Sequence, residues 1–120
     1  MKYLFLEYPK CSTCIKAKKM LDNNNINYDK RNIVIENPST DEISDWIVKY
    51  NLDIKKLFNT SGMLYKDMKL KDRINDMSNK EKIELLASSG MLVKRPILVG
   101  GEIFLNGFNE SKWKDKLEVK

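Results

Sequence analysis

What most constrains this chain is a pair of cysteines, Cys11 and Cys14, set where an apolar run gives way to a proline and then to a helical pattern. Tyr3-Leu4-Phe5-Leu6-Glu7 reads as a short buried strand that ends at Pro9. Cys14, Ile15, Ala17, Met20 and Leu21 then recur at helical spacing, with Lys16, Lys18 and Lys19 on the other side, until Asn23-Asn24-Asn25 stops the run. A cysteine at the mouth of such a helix meets unpaired backbone N–H groups and the positive end of the helix dipole, and both favour thiolate over thiol. Cys11 is placed there. Cys14, one helical turn on, is close enough to attack Cys11 once that sulfur carries an adduct. The spacing therefore predicts Cys11 as nucleophile and Cys14 as resolving thiol. The plainer alternative is two small buried apolar side chains. The order strand, proline, C-x-x-C, helix argues against it, because it is the order of a thioredoxin-like redox motif.

The rest of the pattern completes one α/β domain over residues 1–120. Tyr28-Asp29-Lys30-Arg31-Asn32-Ile33 reads as a second strand, which makes the start of the chain a β-α-β unit with a parallel pair. Asn37-Pro38-Ser39-Thr40 with Glu42 supplies the start of a helix carried by Ile43, Trp46, Ile47 and Tyr50, and Ser78-Asn79-Lys80-Glu81 caps another that runs to Ser89-Gly90. Between them lie a turn at Phe58-Asn59-Thr60-Ser61-Gly62 and a short helix over Tyr65–Leu70. Ile97-Leu98-Val99 and Ile103-Phe104-Leu105 flank a Gly100-Gly101 turn as an antiparallel hairpin, and Asn109 to Leu117 reads as a closing helix. The expected order is β-α-β, a helical insertion at about 39–89, then β-β-α, around a mixed sheet.

Composition narrows the function classes. No apolar stretch approaches the roughly 18 residues of a membrane span, and the first residues are too short an apolar run for a signal-peptide core, so a cytoplasmic protein without membrane attachment is expected. Cysteines confined to one short motif are not the spread-out set of a secreted disulfide scaffold. With two cysteines and no histidine the chain lacks the ligands of a structural zinc site, and no metal is expected. The net charge of +5 comes from 22 lysines and arginines dispersed among 17 acidic residues. That is a solvated basic surface, able to meet an anionic ligand or an acidic protein, and not the clustered footprint of direct nucleic-acid binding.

Three segments, Tyr8-Pro9-Lys10-Cys11-Ser12-Thr13-Cys14, Arg95-Pro96-Ile97-Leu98-Val99 and Asn106-Gly107-Phe108-Asn109-Glu110, resemble in motif and order the family that joins ArsC-type arsenate reductases with the Spx and MgsR redox regulators. Phe58–Gly62 and Leu70-Lys71-Asp72 extend the likeness over essentially the whole chain. The resemblance implies a thioredoxin-like core with a helical insert. It also implies a cis bond at Arg95-Pro96 beside the cysteine loop, and an Arg95 guanidinium that lowers the Cys11 pKa and grips a tetrahedral oxyanion with paired donors. Ser12, Thr13 and Pro96 are expected to border that oxyanion site. Asn59 and Asn106 stand where the reductases carry further arginines, and Tyr8 stands in place of a nearby histidine.

Two functions follow from the likeness. In the first, an enzyme attacks a small oxyanion such as arsenate, or a disulfide, through Cys11, and glutathione or a thioredoxin- or glutaredoxin-type protein supplies electrons with no bound cofactor. In the second, favoured by the C-x-x-C pair and the Asn106–Glu110 ending, the cysteines are a redox switch on a regulator that binds RNA polymerase.

Overall fold

The computed structural model describes residues 2–119. They fall into two compact units, one made of the chain up to Asn32 together with Arg95 onward, the other of Ile33–Lys94.

The first unit is built on a four-stranded sheet. Strand β1 (Tyr3–Glu7) leads into helix α1 (Ser12–Asn23) and strand β2 (Tyr28–Asn32), while β3 (Ile97–Gly100), β4 (Ile103–Asn106) and the last helix, α6 (Glu110–Leu117), come from the far end of the chain. The order across the sheet is β2-β1-β3-β4. β1 runs parallel to β2, with Tyr3 opposite Tyr28 and Glu7 opposite Asn32, and antiparallel to β3, with Leu6 opposite Ile97. The sheet is therefore mixed, as the β-α-β start and β-β end predict.

β1 lies between two neighbours and needs no polar face, which is why Phe5 and Leu6 are both fully buried. Phe5 and Leu98, cross-strand partners, pack with Ala17, Met20 and Leu21 of α1 and Trp113 of α6. Trp113 also satisfies its indole N–H on the Gly107 carbonyl at 2.9 Å, and Phe108 meets its ring edge-on at 5.2 Å. The Asn109 side chain caps α6 by accepting from the Lys112 N–H. This tryptophan thus ties the last helix to the loop that follows β4.

The second unit is helical: α2 (Thr40–Tyr50), α3 (Met63–Asp67), α4 (Leu70–Arg73) and α5 (Asn79–Ser88). Ser39 and Ser78 each accept from the backbone N–H of a glutamate three residues on, at 3.1 Å, and Glu42 and Glu81 return the bond to the serine N–H. These are the two capping boxes that the sequence spells out. Gly90 closes the unit against Ile33; a Cβ there would stand 1.9 Å from the Ile33 carbonyl oxygen.

Four local expectations need correction. Ile15, assigned to the buried face of α1, is 55% exposed. Cys14, Ala17 and Leu21 define the buried stripe, and Ile15 falls one residue off it, above Lys19. β2 ends at Asn32, and Ile33 is instead core of the second unit. The helix expected over Tyr65–Leu70 is split into α3 and α4, because Lys69 takes a left-handed conformation between them (φ 55°). The hairpin loop is Gly101-Glu102: Gly100 stays in the strand opposite Ile103, where a Cβ would crowd the Tyr3 ring at 2.9 Å, and Gly101 supplies the positive φ of 56°.

Candidate active site

Local chain geometry puts Cys11 at the N-cap of α1. Its backbone is extended, its N–H is held by the Tyr8 carbonyl at 2.9 Å, and its carbonyl accepts the first helical bond, from Ile15, at 3.0 Å. An N-cap side chain turns back onto the first free N–H groups of the helix. Here that side chain is a sulfur, which accepts from the Cys14 N–H at 3.4 Å. Ser12 and Thr13 are the intervening residues of the first turn, Ser12 exposed and Thr13 half-buried. Cys11 is half-buried, whereas Cys14 is fully buried.

The two thiols are pushed in opposite directions. Burial raises the Cys11 pKa, but hydrogen bonds from the Cys14 side chain and backbone, the positive charge of Arg95 and the Thr13 backbone N–H together outweigh it. The net result lies below the ordinary thiol value. Cys14 is dominated by burial, which a hydrogen bond with the Tyr8 backbone opposes; its hydrogen bond to Cys11 and the negative charge there add to the rise, Arg95 works against it, and its pKa is pushed up to about 12. The surroundings thus favour the thiolate at Cys11 and the thiol at Cys14.

Arg95 stands two residues before β3, and its positive charge acts on both thiols. The Arg95–Pro96 peptide bond is cis, as the resemblance implies. The guanidinium lies over the Tyr8 ring, 5.4 Å from ring centroid to Cζ. Its Nε and Nη1 are buried and have no hydrogen-bond acceptor among the described residues. Three donors of a guanidinium, those on Nε and Nη1, are therefore uncommitted, and its charge favours the Cys11 thiolate. Sequence reading missed the Tyr8 contact, since nothing in the spacing of Tyr8 and Arg95 predicts that they stack.

The other expected site residues take different positions. The Pro96 carbonyl accepts the Gly107 N–H at 2.9 Å, and Asn106 is the cross-strand partner of Ile97, so the first residue of β3 and the last of β4 stand side by side. Asn59 belongs to the second unit. There its N–H donates to the Leu92 carbonyl at 2.8 Å, its carbonyl accepts from Gly62 at 3.1 Å, and its side-chain oxygen accepts from the Ser61 hydroxyl at 3.2 Å. Among the described residues no group of Cys, Asp and Glu is arranged to hold a metal ion, and no helix is long and apolar enough to cross a membrane.

Comparison with known proteins agrees with this architecture. The chain is 44% identical over 115 residues to the uncharacterized protein YusI of Bacillus subtilis, covering 96% of this chain and 98% of YusI. It is 30% identical over 105 residues to the regulatory protein MgsR of the same organism, covering 88% and 82%. In structure it superposes on an ArsC-family-related protein from Bacteroides fragilis with a TM-score of 0.90 at 50% identity, over 96% and 97% of the two chains. The fold is thus the thioredoxin-like α/β fold of that group. The profile of the ArsC family matches residues 6–116, and the chain belongs to the ArsC family.

Proposed function

We propose that this protein is a thiol-dependent reductase in which the Cys11 thiolate attacks an oxidised substrate, Arg95 holds that substrate's anionic oxygen, and Cys14 resolves the adduct. The observation that carries this reading is the unsatisfied guanidinium: buried donors without an acceptor cost stability unless something fills them, and these donors lie where their charge favours the Cys11 thiolate. A planar fork matches an oxyanion better than a sulfur.

For arsenate the steps balance as follows. Cys11 Sγ bonds to arsenic(V) and one arsenic-bound oxygen leaves as water. Cys14, deprotonated as it attacks, then bonds to Cys11 Sγ. The sulfur–arsenic bond breaks, its electron pair stays on arsenic, and arsenite leaves. Two electrons have passed to arsenic, and the protein holds a Cys11–Cys14 disulfide. Glutathione or a thioredoxin- or glutaredoxin-type dithiol would return the electrons. For a disulfide substrate Cys11 forms a mixed disulfide, which Cys14 opens in the same way.

Ser12, Thr13, Pro96 and Asn106 are proposed to border the substrate, where Asn106 contributes a hydrogen bond but no charge. That makes Arg95 the one cationic clamp of the proposed set and favours a substrate with less negative charge than arsenate dianion.

A second reading is favoured by the match to MgsR over 82% of that regulator: the same disulfide would switch affinity for RNA polymerase. The experiment that separates the two has two arms. Arsenate or a low-molecular-weight disulfide is supplied with glutathione and glutaredoxin, and turnover is measured; separately, reduced and oxidised protein are tested for capture of RNA polymerase. Turnover lost on Cys11→Ser supports the reductase. Polymerase capture that depends on oxidation state, without turnover, replaces it with the regulator.

A further inference from the structure

The stretch of chain that carries Cys11 bears charge of one sign. From Tyr8 to Leu21 there is no acidic residue, and Lys10, Lys16 and Lys19 are exposed with no ion pair among the described residues. Lys18, the fourth lysine of this stretch, is bound to Asp22 at 3.0 Å. On α1 the residues Ser12, Lys16, Lys19 and Asn23 follow one another at helical spacing and form one outward stripe that begins beside Cys11. The stripe does not end on a flat surface. Lys16, Lys19, Met20 and Asn23 form one wall of a cleft of about 230 Å³ whose other wall is Phe108 and Glu110, and Glu110 is engaged by Lys114 at 3.4 Å. Next to the stripe, one turn from Cys11, stands Ile15, 55% exposed. A surface that covered this side chain would remove apolar area from water beside the reactive sulfur.

We infer that this stripe and Ile15 are the docking surface for the electron donor, and that the donor is a protein or peptide dithiol with acidic residues around its exposed cysteine. The inference rests on the thiol–disulfide reading above. Burial of Cys14 fixes the order of events. The donor's thiolate can reach only Cys11 Sγ; a bond forms between them, the Cys11–Cys14 bond breaks, and the Cys14 sulfur leaves with the electron pair and takes a proton. The donor's second thiolate then attacks the donor sulfur of the mixed disulfide, and Cys11 departs as a thiolate. The protein gains two electrons and the donor becomes a disulfide. With the donor seated on Ile15 and Lys16 during the first attack, an acidic rim is attracted and a basic one repelled.

The test uses two synthetic dithiol peptides of equal length, with the cysteine pair flanked by glutamates in one and by lysines in the other, and uncharged dithiothreitol as the baseline for each protein variant. Relative to dithiothreitol, the acidic peptide should reduce the oxidised protein about tenfold faster than the basic one at low salt, and the gap should close in ~0.5 M salt. Lys16→Glu/Lys19→Glu should abolish or invert the preference. Lys2→Glu/Lys116→Glu, with the same change in net charge at the start of β1 and the end of α6, should keep it. Ile15→Ser should slow both peptides relative to dithiothreitol. Equal rates for the two peptides, or a preference that both double variants alter alike, overturn the docking surface while leaving the thiol reading intact. A disulfide that dithiothreitol itself cannot reduce, or that never forms, overturns both.

Discussion

The backbone N–H of Cys14 points at the Cys11 sulfur from 3.4 Å, while the Cys14 side chain itself is fully buried. A single turn of helix therefore stabilises the charge on one cysteine with the amide of the other and shields the second from solvent. Division of labour between the two follows from this one contact.

Its first consequence is a split in reactivity with pH. Thiolate is the reactive form, so Cys11, held below the ordinary thiol value, should be alkylated by iodoacetamide at neutral pH, and its rate should fall as pH drops through its lowered pKa. Cys14, pushed up to about 12, should stay unlabelled across the same range in the folded protein. Peptide mapping after timed alkylation checks both. Faster labelling of Cys14 reverses the assignment.

The stack of Arg95 on Tyr8 gives a second prediction. A desolvated cation–π contact contributes about 2 kcal/mol and an exposed one about half or less of that. Tyr8→Phe keeps the ring and should leave the Cys11 alkylation profile in place. Tyr8→Ala releases the guanidinium, and Arg95→Ala removes it; both should move the Cys11 pKa up toward the ordinary thiol value. Ultraviolet absorbance of the thiolate during a pH titration reads the shift directly. If Arg95→Ala leaves the titration unmoved, the charge of Arg95 does not act on this sulfur.

Much of this was legible in the sequence, and the reasons differ by element. Cys11 could be placed at a helix mouth because Pro9 and the lysine-flanked apolar period fix where α1 begins. The capping boxes at Ser39 and Ser78 announce themselves because both partners lie within four residues. The outward turn of Ile15 is not legible, because an apolar residue at an adjoining helical position has no local signal of which way it faces. Lys69 gives no warning of its left-handed backbone, so α3 and α4 could not be separated. The Tyr8–Arg95 stack joins residues far apart in sequence, and only the pairing of β1 with β3 brings them together.

Packing makes a third, separate prediction. Trp113 is nearly fully buried in the cluster with Phe5 and Leu98 and donates to Gly107, so Trp113→Ala should cost about 3–5 kcal/mol by urea denaturation. Trp113→Phe fills most of the space but leaves the Gly107 carbonyl without its donor, and should cost less. A change below ~1 kcal/mol for the alanine variant would show that the last helix is not anchored as described.

In the second unit, Gly90→Ala should be more damaging than an ordinary surface change. Its Cβ would stand 1.9 Å from the Ile33 oxygen and 2.6 Å from the Ile33 carbonyl carbon, both backbone atoms with little freedom to move. Lowered yield of folded protein and a lowered melting temperature are the expected results. Wild-type stability in this variant would contradict the packing at Ile33.

The central claim is that Cys11 forms the adduct and Cys14 removes it, and a trapping experiment addresses it most directly. Wild type and Cys14→Ser are each exposed to one equivalent of oxidised glutathione and analysed by mass spectrometry with peptide mapping. The wild-type chain should pass through a glutathione adduct on Cys11 to an intramolecular Cys11–Cys14 disulfide, and Cys14→Ser should stop at the Cys11 adduct. An adduct on Cys14 in the wild type, or a Cys11 adduct that persists there as long as in Cys14→Ser, would contradict the account.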